Sequence, residues 1–177
     1  LLTGFEPRFL AYDPQPNFVW AASHQVRLAD TMEDVFKHAD FLVLAVPLNG
    51  STEHLVNKRT LSLMKKTAYL VNTARGALVD EDALCEALNK NIIAGAALDA
   101  FACEPLPMDS PLRTSKALLT PHIAATSVET TSKVSMIVAI NVAGVLLEGK
   151  FGTAVNADKI HDAGLPMNYG NHYRRMI

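Results

Sequence analysis

Short apolar runs alternate with longer segments of helical spacing along the chain. Five of these runs predict strands, at residues 8–12, 41–46, 68–71, 93–98 and 117–119. Alternation of this kind is typical of crossover units on a parallel sheet whose strands are buried on both faces. The pattern therefore predicts an α/β fold built on a doubly wound parallel sheet.

Two of the intervening helices have recognisable first turns. Asp80 can cap a helix that carries Glu81 and Asp82 in its first turn. The buried face of this helix is predicted to consist of Ala83, Leu84, Ala87 and Leu88. Thr126 and Glu129 have the spacing of a capping box, and they predict the start of a long last helix.

Two segments interrupt the alternation. Residues 101–116 form a loop rich in Pro and Asp, and the chain from residue 149 onward has no periodic pattern. Long loops in compact domains are often functional. We therefore predict one domain over residues 1–150 and a C-terminal tail over residues 151–177.

Composition narrows the class of protein. The 177 residues are 49% hydrophobic and 19% charged, which is enough to bury a full core, and the net charge of −2 gives no basic field for nucleic acid or an anionic membrane. The longest apolar stretch, residues 134–147, is too short for a bilayer and predicts no membrane span. Cys85 and Cys103 lack the spacing of metal ligands and suit a reducing compartment, so we expect a cytoplasmic protein without a metal.

Charged side chains follow the predicted strands. Asp13, Arg75, Asp99, Glu104 and His122 all lie at or just beyond a strand end. A guanidinium can bind a carboxylate in bidentate fashion, and an imidazole oriented by a carboxylate can give or take a proton near neutral pH. Because ligands bind beyond the carboxyl ends of strands in such sheets, these residues predict one polar site.

Four candidate residues also have a simpler interpretation. Asp13 precedes Pro14 and could only form a turn, and Arg75 could only satisfy nearby carbonyl groups. Asp99 could cap a helix, and Thr52 could stand at a helix start. The order and combination of the motifs favour the functional interpretation for Asp13 and Arg75, and they leave it open for Thr52.

Six motifs together resemble the D-2-hydroxyacid dehydrogenases, the NAD-dependent family that includes phosphoglycerate dehydrogenase and hydroxypyruvate reductase. The similarity runs from about residue 8 to residue 156. The motifs are Ala11-Tyr12-Asp13-Pro14, Ala39-Asp40-Phe41-Leu42-Val43-Leu44-Ala45-Val46-Pro47, Val71-Asn72-Thr73-Ala74-Arg75-Gly76, Gly95-Ala96-Ala97-Leu98-Asp99, Glu104-Pro105 and Thr120-Pro121-His122-Ile123-Ala124-Ala125. Where many members have His before the Val-Pro pair, this chain has Ala45.

The resemblance implies a Rossmann-type nucleotide-binding domain that is incomplete at its N-terminus. In the family a substrate domain and a first strand-turn-helix with G-x-G-x-x-G precede the segment that ends in Asp13, whereas only Gly4 precedes it here. The tail would pack on that substrate domain. A homodimer formed through the nucleotide-binding domain is the family expectation.

The resemblance also implies roles. Arg75 would bind the substrate carboxylate, His122 would be the acid-base group and Glu104 would orient it, while Asp13 would accept hydrogen bonds from the adenosine ribose of NAD and disfavour NADP. Asp99 would accept from the nicotinamide carboxamide. The other residues expected to contact NAD are Val46, Pro47, Thr52, Thr73, Ala74, Arg75, His122, Ala124 and Ala125.

The implied activity is hydride transfer between NAD(H) and a small 2-hydroxy or 2-oxo acid, with the identity of that acid left open. The 177-residue chain alone is expected to be inactive. Two alternatives stay open: an NAD(H)-sensing binding protein of the corepressor type on the same fold, and an inactive fragment. Turnover with a panel of 2-oxo acids separates the enzyme from both.

Overall fold

The computed structural model describes residues 2–149. The chain forms two compact units, Leu1–Ala124 and Ala125–Ile177. The predicted tail, residues 151–177, lies outside the described residues. Its boundary at residue 150 therefore stays a prediction.

Six parallel strands form two sheets in the first unit. Strands β1 (Phe9–Ala11) and β2 (Val26–Leu28) pair with each other, and β3 (Phe41–Leu44), β4 (Tyr69–Asn72), β5 (Gly95–Leu98) and β6 (Ala117–Leu119) pair in chain order. All five predicted strands are present. Strand β2 was not predicted, because three residues with Arg27 in the middle give too short an apolar run to recognise.

Four short helices connect these strands: α1 (Phe18–Ser23), α2 (Met32–His38), α3 (Lys58–Leu61) and α4 (Glu81–Asn89). Single 3-10 turns occur at Leu2–Phe5, Gly76–Leu78 and Pro111–Thr114. Asp80 caps α4 as predicted, with its carboxylate accepting a hydrogen bond from the Ala83 N–H at 3.0 Å. The arrangement confirms the predicted α/β fold with parallel strands.

One hydrophobic core joins the helices to one face of the larger sheet. Leu42 and Leu44 of β3 belong to it, together with Leu70 and Leu98. The helices contribute Phe36, Leu61, Leu84 and Leu88, each no more than 1% exposed. Burial of this apolar surface supplies the main stabilising free energy of the first unit. It also fixes the strand ends relative to α4.

The opposite face of the larger sheet is exposed. Phe41 is 70% exposed, and Val43, Tyr69 and Leu118 are also exposed on this face. The prediction that the strands are buried on both faces is therefore wrong for β3, whose residues alternate between exposed and buried. The reason is that the buried residues of α2, α3 and α4 all join a single core cluster on one face.

The two sheets lie near each other at their amino ends. A hydrogen bond from Lys65 lowers the pKa of Asp40, the residue before β3, and the charge of Arg8, the residue before β1, lowers it further. Such an effect requires the two charges to be close.

The second unit begins with a long helix, α5 (Val128–Ala143), which continues as a π-helical turn at Gly144–Glu148. Its N-cap is Ser127, whose hydroxyl accepts a hydrogen bond from the Thr130 N–H at 3.1 Å. The predicted capping box of Thr126 and Glu129 is therefore wrong, because the N-cap is Ser127. Two hydroxyl residues stand side by side at this point, and sequence spacing does not decide between them.

Residues 128–148 form a helix that is long and apolar enough to cross a membrane, by length and composition only. The apolar segment is therefore longer than the predicted residues 134–147, whereas the prediction of no membrane span stays a prediction. Core helices of soluble proteins also satisfy this criterion, so the helix is weak evidence for a membrane span. The same 21 residues have no buried side chain.

Candidate active site

Strands β3 to β6 end in register, which aligns the loops that follow them. Leu44 pairs with Asn72, Asn72 with Leu98, and Leu98 with Leu119. The segments beyond these residues contain Arg75, Asp99, Glu104 and His122. The sheet therefore directs all four side-chain positions to one edge, as expected for a ligand site in an open α/β sheet.

His122 and Glu104 are in direct contact. The Nδ1 atom of His122 lies 2.8 Å from Oε2 of Glu104, and both side chains are partly exposed. An ionised carboxylate only accepts hydrogen bonds, so Nδ1 carries the proton in this pair. The second ring nitrogen, Nε2, is then left to exchange a proton with a ligand.

The Glu104 carboxylate is held in its ionised form. Its other oxygen, Oε1, accepts a hydrogen bond from the Phe101 N–H at 2.9 Å. This backbone N–H, followed by the hydrogen bond with His122, lowers the pKa of Glu104. Oε1 of Glu104 therefore holds the backbone of the segment that carries Glu104, and Oε2 holds the imidazole of His122.

Asp99 anchors the loop that carries His122. Its Oδ1 accepts hydrogen bonds from the Thr120 hydroxyl at 2.6 Å and from the Ile123 N–H at 2.9 Å, while Oδ2 accepts from the Ala124 N–H at 2.9 Å. Asp99 is buried, and the Thr120 hydroxyl is the largest cause of its lowered pKa, with the two N–H groups adding to it. Asp99 is not a helix cap, because it follows β5 and binds this loop.

The backbone at His122 is in the left-handed region, with φ of 54°. Such a conformation is uncommon outside glycine, although Asn, Asp and His adopt it more readily than other residues. The hydrogen bonds that Asp99 accepts from residues on both sides of His122 hold the loop in this conformation. Backbone conformation and side-chain contact together direct the imidazole toward Glu104.

A buried Asn closes the turn that carries Arg75. The Asn72 side chain accepts a hydrogen bond from the Ala74 N–H at 3.0 Å and donates one to the Arg75 carbonyl at 2.9 Å. Asn72 is completely buried, so both bonds are shielded from water. The exposed Arg75 guanidinium donates one hydrogen bond, from Nη1 to the Ala74 carbonyl at 2.7 Å. Its remaining N–H groups can form a fork for a carboxylate.

Close backbone packing joins the Arg75 turn to the Glu104 segment. A Cβ atom on Gly76 would lie 1.8 Å from the carbonyl carbon of Phe101. No other residue fits there, since real Cβ atoms do not approach backbone so closely. Gly76 therefore lets the segments that carry Arg75 and Glu104 lie side by side.

Asp13 lies two residues beyond β1 and is exposed. Its Oδ1 accepts a hydrogen bond from the Gln15 N–H at 2.8 Å, which makes it part of an Asx-type turn. The second carboxylate oxygen can accept from a ligand. The turn-forming interpretation and the binding interpretation are compatible at this residue.

The loop after β3 is fixed by Thr52. Its hydroxyl donates to the Pro47 carbonyl at 2.7 Å and accepts from the Asn49 N–H at 2.9 Å. Thr52 therefore lies in a turn and not at a helix start, contrary to the simpler sequence interpretation. Val46 packs partly against the core, while Pro47 is exposed.

The remaining predicted contacts follow β4 and β6. Thr73 is exposed and Ala74 packs partly against the core. Ala124 ends the first unit, and Ala125 is the first residue of the second unit. Within residues 2–149, His, Cys, Asp and Glu side chains form no group of three or more that could hold a metal ion.

Sequence reasoning missed four residues that shape this site: Asn72, Gly76, Glu81 and Thr120. Asn72 was recognisable as a polar residue that ends an otherwise apolar strand, and Thr120 as a hydroxyl beside the Pro121-His122 pair. Nothing in the sequence indicated Glu81, whose partner, the Ala102 N–H, is 21 residues away.

Comparison with known families gives a match that covers most of the chain. Residues 1–124 match the family described as D-isomer specific 2-hydroxyacid dehydrogenase, NAD binding domain. A glyoxylate reductase of Thermofilum pendens is 40% identical over 147 residues, covering 82% of this chain and 43% of that protein. A D-3-phosphoglycerate dehydrogenase of Methanocaldococcus jannaschii is 42% identical over 143 residues, covering 80% of this chain and 27% of that protein.

Solved structures that resemble this chain lead to the same family. The NAD-complexed D-isomer specific 2-hydroxyacid dehydrogenase from Lactobacillus delbrueckii ssp. bulgaricus superposes with a TM-score of 0.76 and 29% identity, covering 87% of this chain and 50% of that one. The chain thus spans between about a quarter and a half of the length of these relatives. By its sequence and its fold, the chain belongs to the D-isomer specific 2-hydroxyacid dehydrogenase family, within its NAD-binding domain.

Proposed function

We propose that this chain is the NAD-binding part of an enzyme that transfers hydride between NAD(H) and a small 2-hydroxy or 2-oxo acid. The observation that carries the proposal is the 2.8 Å contact between Nδ1 of His122 and Glu104. An imidazole held in this way at the ligand-binding edge of the sheet is equipped for general acid-base catalysis.

His122 and Glu104 together account for the proton transfer. In carbonyl reduction the imidazolium of His122 gives the proton on Nε2 to the substrate oxygen, while Glu104 stays ionised and stabilises the charged ring. In alcohol oxidation the neutral imidazole takes the hydroxyl proton at the same atom. One group therefore serves both directions of the reaction.

Arg75 is proposed to bind the substrate carboxylate. Its guanidinium is exposed beyond β4, and the buried Asn72 fixes the backbone from which it extends. A planar fork can hold a carboxylate through two parallel hydrogen bonds. This anchor orients the neighbouring carbonyl group toward His122.

The residues present fit a dinucleotide. Asp13 has a free carboxylate oxygen for ribose hydroxyls, Val46 and Pro47 give an apolar surface after β3, and the Thr52-fixed loop adjoins them. Thr73, Ala74, Asp99, Ala124 and Ala125 are proposed to complete the contacts. When bound, NAD(H) supplies or accepts the hydride. The sheet, Asp99 and Asn72 keep these residues in place.

Asp13→Ala is expected to reduce the preference for NAD over NADP. Loss of the carboxylate removes hydrogen bonds to the ribose and the repulsion of a 2′-phosphate, so NAD affinity should fall by about ten- to a hundredfold while NADP affinity changes little. Both dissociation constants are measured by titration of the full-length protein. Asp30→Ala is the matched control, since Asp30 lies two residues beyond β2 as Asp13 lies two beyond β1. An unchanged affinity ratio in Asp13→Ala contradicts this role.

We also propose a compartment, an oligomeric state and a set of partners for the protein. The chain is proposed to act in the cytoplasm as a homodimer, and to bind a small 2-oxo or 2-hydroxy acid but neither nucleic acid nor a membrane. Two free thiols, buried Cys85 and exposed Cys103, support a reducing compartment, and the net charge of −2 supports the absence of nucleic acid. Sedimentation equilibrium of the full-length protein tests the dimer, and vesicle flotation tests membrane binding.

The activity is tested with the full-length protein and NADH. Initial rates are measured with glyoxylate, the acid in the name of the Thermofilum relative, and with hydroxypyruvate, pyruvate and bulkier 2-oxo acids. NADH oxidation that depends on a 2-oxo acid supports the proposal. NADH binding without turnover across the panel supports the binding-protein alternative instead.

A further inference from the structure

The segment between Asp99 and Glu104 is held at three points. Gly76 packs against the Phe101 carbonyl, and the Phe101 N–H donates to Glu104. The next N–H along the chain, that of Ala102, donates to Oε1 of Glu81 at 2.7 Å. Two consecutive backbone N–H groups are thus bound by carboxylates, one from Glu104 itself and one from a distant helix.

Glu81 extends from a rigid element. It is the first residue of α4, whose N-cap is Asp80 and whose Leu84 and Leu88 are completely buried. The helix therefore cannot shift without disrupting the core. The helix dipole stabilises a carboxylate at a helix N-terminus even where that carboxylate contacts no loop. The contact with Ala102 adds a specific restraint on the Glu104 segment.

We propose that Glu81 is a positioning residue for Glu104 and, through Glu104, for His122. The inference rests on the proposed acid-base role of that pair. If the Ala102 N–H loses its acceptor, the peptide units of residues 101–103 can rotate, and the hydrogen bond from Phe101 to Glu104 weakens with them. Glu104 then no longer holds Nδ1 of His122 at a fixed distance.

The test compares Glu81→Ala with Glu81→Gln and with Asp82→Ala in the full-length protein. Glutamine keeps an oxygen that can accept from Ala102, whereas alanine does not. Asp82 is the matched control, because its replacement removes one negative charge from the same helical turn. Three quantities are measured: amide exchange of Phe101 and Ala102, the ¹⁵N shifts of the His122 ring, and kcat and KM for a 2-oxo acid.

For Glu81→Ala we expect faster amide exchange at Ala102 and Phe101, changed ring shifts at His122, and kcat lower by about ten- to a hundredfold with a nearly unchanged KM. Glu81→Gln and Asp82→Ala should both resemble the wild type. A lower kcat with an unchanged KM in Glu81→Ala, together with wild-type behaviour of Glu81→Gln, distinguishes a positioning role from a general loss of stability.

Two results overturn the inference. Unchanged exchange at Ala102 in Glu81→Ala means that the hydrogen bond is not a restraint, and faster exchange with unchanged kcat means that the restraint does not reach the reaction. Failure of the proposed function gives a different result. In that case the wild type itself shows no NADH oxidation that depends on a 2-oxo acid, while the exchange measurement still reports on the bond between Glu81 and Ala102.

Discussion

His122→Gln is expected to abolish most activity in both directions while changing NADH affinity far less than turnover. Glutamine keeps a polar side chain of similar reach but cannot exchange a proton near neutral pH. Loss of a general acid-base group costs about 10²- to 10⁴-fold in rate. The measurement is kcat for 2-oxo acid reduction and for 2-hydroxy acid oxidation, together with NADH affinity by fluorescence titration of the full-length protein.

His54→Gln is the matched control for this variant. His54 is exposed, and like His122 it has a left-handed backbone, with φ of 48°. Any effect of placing glutamine in that conformation therefore appears in both variants, whereas the loss of proton transfer appears only in His122→Gln. A His122→Gln enzyme with near wild-type turnover would remove His122 from the mechanism.

Arg75→Lys is expected to lower kcat/KM strongly despite the retained charge. Lysine cannot reproduce the planar fork, so one charge-assisted hydrogen bond to the substrate carboxylate is lost, which is worth about 1.5 to 3 kcal/mol and hence about ten- to 150-fold in kcat/KM. Because the anchor also orients the carbonyl group, both KM and kcat should be affected. Steady-state kinetics with a 2-oxo acid measures both constants.

Arg59→Lys provides the control for the exchange of Arg for Lys. Arg59 forms an exposed ion pair with Glu33 at 3.1 Å and is not among the residues proposed to bind substrate or NAD. Exposed pairs of this kind contribute little free energy, so this variant should behave as the wild type. If Arg75→Lys matches Arg59→Lys in kcat/KM, the substrate anchor lies elsewhere.

The parts of the fold that could be predicted are those whose sequence signal lies within a few neighbouring residues. Strand β6 was predicted with its observed bounds, and Asp80 was recognised as a cap, because both signals lie within a few residues. Strand β2 was missed because three residues carry little periodic information. The exposed face of β3 was missed because composition shows that a side chain is apolar and not what covers it.

The chemical groups of the site were predictable from the sequence. The long-range hydrogen bonds that hold these groups in place were less so. The contact of Glu104 with His122 was expected from the resemblance, and the structure shows it. The hydrogen bonds that Asp99 accepts from the His122 loop were not anticipated, since they join residues 21 to 25 positions apart. Long-range contacts of this kind depend on strand register, which a single sequence does not reveal.

The pH dependence of the two reaction directions tests the acid-base assignment most directly. Initial rates of reduction and of oxidation are measured between about pH 5 and 9 in the wild type and in Glu104→Gln. Reduction requires the charged imidazole, so its rate should fall as pH rises, while the rate of oxidation should rise over the same range. Glutamine at position 104 is neutral and holds Nδ1 of His122 less firmly than the carboxylate does, so Glu104→Gln should lower the rates in both directions. Profiles that run in the same direction would contradict the proposed role of His122, and wild-type rates in Glu104→Gln would contradict the proposed role of Glu104.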